Sequence, residues 1–334
     1  MLILKRTSAE QHCPSRIVAL FGVGTVGGAV ACRLTSQDWC VTQRIDTPWE
    51  QQEQLQHALA KVYEELTQRN QSQCDQSCSF IWSAGRAGFN ATDCDAANEM
   101  SAFERVLHLF KTVRQRLPDS RWHQISSAGG LFEGQRLVGP TNQPAPKRPY
   151  GLLKLRQELA LRDLPMCAHA IYRLTSVFAP TRRGQRCGLI PTMASNGVLG
   201  RITQIAGHST TLRDFTWADD VASFVVDNFR IPPNPTHNTF LLASGRPVSI
   251  GEVQWMTEQS LRRHLYINYV TPQNDCDITF GADVMPRGFS GSDLRSCIRR
   301  VCQEFLAVPE QHSWPGDVCK TNITKTDPPR KAAR

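Results

Sequence analysis

A glycine-rich turn in the first thirty residues limits most strongly how this chain can fold. A short apolar run, residues 16–21, ends directly before Gly22, and Gly24 and Gly27 complete the spacing G-x-G-x-x-G. Small and apolar residues then continue at helical spacing through residues 29–34. A strand, this glycine pattern and a helix, in that order, are typical of a dinucleotide-binding unit. The sequence therefore predicts an α/β protein whose first helix directs its N-terminus at a pyrophosphate.

The glycines of this turn have separate predicted roles. Gly22 and Gly24 permit a tight turn and let the backbone approach the pyrophosphate, while Gly27 lets helix and strand pack closely. Thr25 and Val26 complete the predicted cofactor-binding loop, because the start of a helix attracts phosphate charge. A glycine-rich turn without a ligand is the alternative interpretation.

Two residues at the end of the second predicted strand indicate which dinucleotide would bind. This strand lies within residues 39–45. Asp46 falls 19 residues after Gly27, near where a carboxylate would bind the ribose hydroxyls of NAD. Arg44 lies two residues earlier and could instead bind the 2′-phosphate of NADP. Both remain candidates, and a solvated strand end is the alternative for each.

A tyrosine and a lysine four residues apart, Tyr150 and Lys154, follow Pro149 in a segment with helical apolar spacing. The i,i+4 spacing places both side chains on one helix face. A lysine ammonium beside a phenol lowers the tyrosine pKa from about 10, toward the range of a general acid or base near neutrality. Such a pair is common by chance on amphipathic helices, so a catalytic role needs support from the rest of the chain.

That support comes from further segments, which together resemble the extended short-chain dehydrogenase/reductase family. This is the NAD-dependent epimerase/dehydratase group that acts on nucleotide sugars. The resemblance runs from about residue 16 to residue 305. Besides the glycine turn and the Tyr-Lys pair, it rests on strand-and-turn segments at residues 80–85 and 125–132 and on Asn98 in a helix. It also rests on a strand that ends in Ala-Pro, residues 173–180, and on an Arg-Asp-Phe…Asp-Asp-Val-Ala motif, residues 212–222.

The resemblance implies a Rossmann-type, doubly wound parallel sheet with a smaller C-terminal substrate-binding domain. It implies NAD or NADP as cofactor, with Ala84 and Gly85 beside it and Lys154 on the nicotinamide ribose. The implied reaction is hydride transfer at a sugar carbon. In such a reaction the cofactor carries the redox chemistry, and the protein supplies orientation and the proton route.

The same resemblance assigns roles at the reacting end. Tyr150 would remove or return the proton of the reacting hydroxyl. Ser127, with Ser126 as second choice and substrate-binding candidate, would hydrogen-bond the reacting oxygen. Arg213 would bind the substrate diphosphate through its guanidinium fork.

Two positions depart from the family pattern. The first glycine of the usual Gly-x-x-Gly-x-x-Gly falls on Phe21, and the usual serine or threonine of the catalytic turn falls on Ala128, one residue after Ser127. The acidic pair typical of dehydratases is replaced by residues 128–130, Ala-Gly-Gly, which ranks a dehydratase below an epimerase or reductase.

Three functions therefore stay open. The first is a nucleotide-sugar epimerase or related oxidoreductase. The second is an NADPH-dependent reductase of another carbonyl substrate, favoured by Arg44 and the atypical glycine turn. The third is a non-catalytic dinucleotide-binding regulator, favoured by Ala128 and opposed by the Tyr150 and Lys154 pair. The expected partner is a nucleotide sugar or another small molecule, and a homodimer is compatible with the sequence.

Composition argues against other classes of protein. No apolar run of the 334 residues approaches the roughly 18 residues of a membrane span. Residues 2–4 are too short for the core of a signal peptide, so a cytoplasmic location is expected. The net charge of +8 comes without a nucleic-acid-binding motif, and the cysteines show no C-x-x-C spacing. We expect no membrane, nucleic acid or metal.

The chain is predicted to divide into four parts. They are a polar lead, a dinucleotide-binding domain to which a later segment near residues 212–245 returns, a mainly substrate-binding part and a disordered basic tail: residues 1–15, 16–180, 181–313 and 314–334. Helices are expected within residues 50–70, 248–265 with Ser249 as N-cap, and 292–306, and a strand within 238–243.

Overall fold

The computed structural model describes most of the chain. The described residues are 1–6, 15–67, 77–139, 141–165, 168–181, 188–229, 238–270 and 277–307. The predicted basic tail, residues 314–334, lies outside them. Among the described residues, no helix combines the length and the apolar character needed to cross a membrane.

Strands and helices alternate through the first half of the described chain. The strands are β1 Leu2–Arg6, β2 Ser15–Phe21, β3 Trp39–Arg44, β4 Ser77–Trp82, β5 Arg121–Ser127, β6 His169–Leu174, β7 Ser176–Phe178, β8 Thr203–Ala206, β9 Leu212–Arg213, β10 Phe215–Trp217, β11 Thr239–Leu242, β12 Val248–Ser249 and β13 Ile267–Val270. The helices are α1 Thr25–Thr35, α2 Gln52–Thr67, α3 Asp93–Arg114, α4 Ala128–Leu131, α5 Pro149–Ala160, α6 Leu189–Leu199, α7 Ala218–Asp227, α8 Ile250–Leu261 and α9 Leu294–Ala307.

A mostly parallel sheet forms the centre of the fold, with seven strands in the described residues and the order β11-β6-β5-β4-β2-β1-β3. Side chains of β2 alternate between two apolar clusters, with Ala19 and Phe21 in one and Val18 and Leu20 in the other. The first cluster includes residues of α2 and α3, and the second includes residues of α1 and α7. Both faces of the sheet are therefore covered by helices, which confirms the doubly wound α/β fold.

The sequence predicts a polar lead over residues 1–15, and strand β1 corrects this prediction. Leu2–Arg6 instead lies inside the sheet, antiparallel to both β2 and β3. Ile3 packs into one apolar cluster and Leu4 into the other, and both are fully buried. Because β1 separates β2 from β3, the end of β3 lies one extra strand spacing, about 4.8 Å, from the glycine turn.

The later part of the chain contributes both to the sheet and to a further core. The predicted strand near residues 238–243 is confirmed, because β11 pairs in parallel with β6. The predicted N-cap is also confirmed, since the Ser249 hydroxyl accepts a hydrogen bond from the Glu252 amide at 3.1 Å. Helices α6, α8 and α9 share a separate apolar cluster with β8 and β10. How these parts divide into domains remains a prediction.

Candidate active site

The glycine turn between β2 and α1 has two crowded positions and one open position. Gly22 has a φ of +91°, and a Cβ there would overlap the backbone of Ala84. A Cβ on Gly27 would overlap the carbonyl oxygen of Gly22. By contrast, a Cβ on Gly24 would meet no atom within 4 Å. Gly22 and Gly27 therefore hold the turn against β4, while Gly24 borders free space.

Helix α1 begins at this open position. Gly24 is its N-cap and provides no side-chain hydrogen bond, and the first turn contains no acidic residue. Thr25 and Val26 in that turn are half-buried. The first amides of a helix lack partners within the helix and carry its positive dipole end, so this terminus suits an anionic ligand.

A cavity of about 970 Å³ lies beside the turn. Its described lining combines Gly22 and Gly24 with the segment that follows β4, which contains Ala84 and Gly85. The start of α3 closes another side of the cavity. Four of the predicted cofactor-binding residues thus border one space.

Arg44 and Asp46 are not among the described residues that line this cavity. Arg44 is in register with Leu2 of β1, and the amide of Ile45 donates to the Met1 carbonyl at 3.1 Å. Because β1 lies between β2 and β3, the end of β3 is one strand further from the glycine turn. The role of Arg44 and Asp46 at the cofactor ribose stays a prediction.

Two residues further along the same loop do line the cavity, Trp49 and Glu50. The Glu50 carboxylate lies 3.1 Å from the Arg86 guanidinium, and Arg86 also lines the cavity. Both side chains are largely exposed. An exposed ion pair is worth at most about 1 kcal/mol, so a ligand could separate the two groups at little cost.

A second pocket, of about 270 Å³, unites residues that are far apart in sequence. Ser127, Tyr150 and Arg213 all line it. Ala87 and Gly88 line this pocket as well as the larger cavity, so the two spaces adjoin. A ligand that spans both would meet the glycine turn at one end and Tyr150 at the other.

Helix α5 places Tyr150 and Lys154 on one face, as the spacing predicts. The Lys154 ammonium lies 5.7 Å from the centre of the Tyr150 ring. It also donates hydrogen bonds to Glu99 Oε1 at 3.0 Å and to Gln157 Oε1 at 3.2 Å. The side chain of Lys154 is only 7 % exposed, so its charge is balanced by a buried carboxylate.

The neighbouring serines on β5 have different surroundings. Ser127 lines the pocket with Tyr150, and its hydroxyl accepts a hydrogen bond from the Gly130 amide at 3.1 Å. Ser126 instead donates to the Glu158 carboxylate, which also pairs with Arg173 at 2.7 Å. Adjacent residues of a strand point to opposite faces, and Ser126 is not among the described residues that line this pocket. Its role as a substrate-binding residue stays a prediction.

Arg213 reaches the pocket from the short strand β9. Its guanidinium donates to the Leu212 carbonyl at 2.9 Å. The acidic residues that follow Arg213 in the same motif have other partners, since Asp219 lies 3.6 Å from Arg300 and Asp220 accepts from Ser292.

Asp214 is the buried carboxyl group of the pocket. Burial raises its pKa, although hydrogen bonds from the Ser244 amide and hydroxyl, both 2.8 Å long, oppose that shift. These bonds tie β9 to the segment after β11 and so fix the neighbouring Arg213 beside the pocket.

Glu99 is a candidate site residue that the motifs do not predict. Its side chain is 8 % exposed, lines the larger cavity, and accepts hydrogen bonds from Lys154 and from the Ala87 amide at 3.1 Å. A sequence signal existed, because Glu99 falls between buried Ala96 and Phe103 on one face of α3 at the spacing i, i+3, i+7. No group of three or more potential metal ligands occurs among the described residues.

Comparison with known proteins agrees with this geometry. The sequence profile of the NAD dependent epimerase/dehydratase family matches residues 19–232. The chain belongs to this family. Membership confirms the resemblance drawn from the motifs and places the chain in a family of NAD-dependent enzymes. A comparison with curated protein sequences gives no match.

Solved structures of similar fold include a UDP-glucose 4-epimerase from Thermotoga maritima with UDP-glucose, with a TM-score of 0.70 and 14 % identity over 88 % of this chain and 99 % of that one. A UDP-glucose 4-epimerase from Thermus thermophilus in complex with NAD has a TM-score of 0.70 and 14 % identity over 86 % and 98 % of the two chains. RMD from Pseudomonas aeruginosa, complexed with NADPH, has a TM-score of 0.67 and 16 % identity over 87 % and 98 %. At these identities the likeness demonstrates a shared fold.

Proposed function

We propose that this protein is an NAD(P)-dependent oxidoreductase of the epimerase type that acts on a nucleotide sugar. The observation that carries the proposal is the pocket lined by Ser127, Tyr150 and Arg213, which adjoins the larger cavity at the glycine turn. A cofactor in one space and a sugar in the other would meet at Tyr150. Similar folds have been solved with UDP-glucose, with NAD and with NADPH.

The residues around the glycine turn fit a dinucleotide. Gly24 borders open space beside the cavity of about 970 Å³. The amides of Thr25 and Val26, which follow it in the first turn of α1, have no side-chain cap. That volume falls within the ~300–1,000 Å³ typical of small-molecule sites. These residues would hold the pyrophosphate, with Ala84 and Gly85 alongside. The cofactor, when bound, would accept hydride from the sugar and return it.

Glu50 and Arg86 are better placed than Asp46 and Arg44 to select between NAD and NADP. Glu50 would accept hydrogen bonds from the ribose hydroxyls of NAD. Arg86 would bind the 2′-phosphate of NADP as a charge-assisted fork. Because both line the same cavity, the choice depends on which member of the pair the ligand engages.

At the reacting end, the proposed proton carrier is Tyr150, whose ring lies beside the Lys154 ammonium. Tyr150 would take the proton from the sugar hydroxyl and return it after the cofactor has acted. The Ser127 hydroxyl would bind the reacting oxygen, because it lines the same pocket while anchored to the Gly130 amide. The Lys154 ammonium has three donors, two of which bond to Glu99 and Gln157. The third would bind the nicotinamide ribose.

Arg213 would recognise the diphosphate of the substrate. A guanidinium forms two parallel hydrogen bonds with phosphate oxygens, and a charge-assisted bond is roughly twice as strong as a neutral one. Its fixed position beside Asp214, which is tied to Ser244, would hold that fork in the pocket.

The test has two parts. Binding of NAD and NADP is measured by titration calorimetry, and turnover is then measured on UDP- and dTDP-sugars by following the interconversion of the sugar epimers. We expect tight binding of at least one cofactor and turnover of at least one nucleotide sugar. Absence of cofactor binding would refute the proposed site.

A second candidate, a non-catalytic dinucleotide-binding protein, is favoured by one observation. Ala128 is fully buried at the position where the family has its serine or threonine, which leaves the oxygen-binding role to Ser127. Cofactor binding with no turnover, and no nucleoside diphosphate binding, would support this candidate over the enzyme.

A further inference from the structure

A buried carboxylate stands at the junction of the two spaces. Glu99 lines the larger cavity, and its second oxygen accepts a hydrogen bond from Ala87, which lines both spaces. The Cα of Gly85 faces the same carboxylate so closely that a Cβ there would collide with it. Glu99 is therefore fixed from two sides at the cavity end nearest the pocket of Tyr150.

The charge of Glu99 is balanced by Lys154 at 3.0 Å, and both side chains are at least 92 % buried. The two charges are not equally placed toward a ligand. Glu99 is among the described residues that line the larger cavity, whereas Lys154 is not among them and is held also by Gln157. Toward a ring in the cavity the carboxylate is the exposed charge of the pair, while the ammonium keeps one donor for the ribose.

The two redox forms of a nicotinamide cofactor differ in charge at one place. The oxidised ring carries a positive charge that the reduced ring lacks, while the phosphates and riboses are the same in both. A fixed charge near the ring therefore changes the ratio of the two affinities, whereas contacts to the rest of the cofactor change both affinities equally.

On the basis of the proposed cofactor site, we propose that Glu99 sets the preference of this protein between the oxidised and reduced cofactor, in favour of the oxidised form. Lys154 alone would repel the positive ring. The carboxylate of Glu99 cancels that repulsion and adds attraction on the cavity side. A bound oxidised cofactor is the form that can begin the reaction by accepting hydride from a sugar alcohol.

The experiment measures dissociation constants of the oxidised and reduced cofactor, NAD⁺ with NADH or NADP⁺ with NADPH, by titration calorimetry. The quantity of interest is the ratio of the reduced-form to the oxidised-form constant. Glu99→Gln should lower this ratio by at least about tenfold, because a unit charge within about 10 Å of the ring acts in a medium of effective dielectric near 20. Lys154→Met should raise it, and the double variant should restore it.

Glu50→Gln is the matched control. It removes a carboxylate from the same cavity that pairs with Arg86 and not with Lys154. Since Glu50 is proposed to face the ribose, its loss should change both constants by the same factor. Thermal unfolding identifies any variant that does not fold. If Glu99→Gln does not fold, because it leaves a buried ammonium unpaired, Lys154→Met still tests the sign of the effect.

The outcomes separate this inference from the function on which it rests. An unchanged ratio in Glu99→Gln, or equal shifts in both constants, would overturn the role of Glu99 and leave the cofactor site intact. Failure of the unmodified protein to bind either redox form would overturn the cofactor site itself, and this inference with it.

Discussion

The Cα of Gly27 packs against the carbonyl oxygen of Gly22 with no room for a side chain between them. The Ser83 hydroxyl donates to the same oxygen at 2.6 Å. Three segments of backbone thus meet at one point where β2, α1 and the end of β4 converge. Gly24, two residues after Gly22, has no such neighbour.

This contrast predicts that a substitution at Gly27 lowers stability, whereas one at Gly24 lowers cofactor binding. Gly27→Val should destabilise the fold by about 1–3 kcal/mol or more, because its side chain collides with backbone that cannot move freely. Gly24→Val should cost at most about 1 kcal/mol, from a poorer N-cap, yet abolish dinucleotide binding by filling the open space. Chemical denaturation and calorimetry with NAD and NADP would measure both effects. Cofactor binding by folded Gly24→Val would remove the turn from the proposed site.

Tyr150→Phe should separate chemistry from binding. The change keeps the ring beside Lys154 and removes only the hydroxyl, so folding and cofactor affinity should stay nearly the same. Turnover should fall by about 10²–10⁴-fold, as is typical when an acid/base group is lost. Tyr63→Phe on α2 is the control and should retain activity. Equal turnover in the two variants would exclude Tyr150 as the proton carrier.

The sequence predicted the parts of the fold that depend on local pattern. The glycine turn, the Tyr150 and Lys154 face and the Ser249 cap each follow from the spacing of nearby residues. Strand β1 was missed because Leu2–Leu4 is a short apolar run, and its place between β2 and β3 depends on pairing with distant residues. Because of that insertion, Arg44 ends a strand that lies one position further from the glycine turn.

The same holds for the candidate site: residues in local motifs could be predicted, and residues whose role depends on distant contacts could not. Tyr150, Ser127 and Arg213 were named from motifs, and the structure brings them to one pocket. Glu99 was missed because its partner Lys154 is 55 residues away, and a glutamate on a helix is usually solvated. Ser126 and Ser127 could not be separated by motif, since only the strand alternation relative to the sheet decides which one faces the pocket.

Arg213→Ala should weaken binding of the nucleoside diphosphate without changing cofactor affinity. Removal of the guanidinium takes away a charge-assisted fork to phosphate, which predicts a loss of roughly 10–100-fold in affinity for UDP or dTDP. Arg105→Ala removes the same charge as a control, at a residue of α3 that bonds to Gln52 and Gln56 and lines neither space. Protection against thermal unfolding by UDP would report the effect. Equal protection of both variants would contradict the role of Arg213.

His123 should make the fold sensitive to mild acid. It is fully buried in β5, its Nδ1 lies 3.0 Å from the Tyr172 hydroxyl, and its ring lies 4.5 Å from that of Phe229. Burial, aided by the positive charge of Arg121, lowers the pKa of His123 from 6.5 to about 3. The unfolded chain therefore binds this proton more tightly than the folded protein does.

The sign of the pH effect follows from that difference. The stability that His123 contributes is complete above about pH 6.5 and is lost as the pH falls toward 3, with a slope near 1.4 kcal/mol per pH unit. Between pH 6.5 and pH 5 the free energy of unfolding should drop by about 2 kcal/mol from this residue alone.

His123→Phe should start from a lower stability, because the Tyr172 hydroxyl loses its partner, but should lack this part of the slope. His108→Gln, at an exposed histidine, should keep it. Denaturation at pH 7, 6 and 5 would measure all three proteins, and the same slope in His123→Phe and the unmodified protein would show that His123 is protonated in the fold without cost.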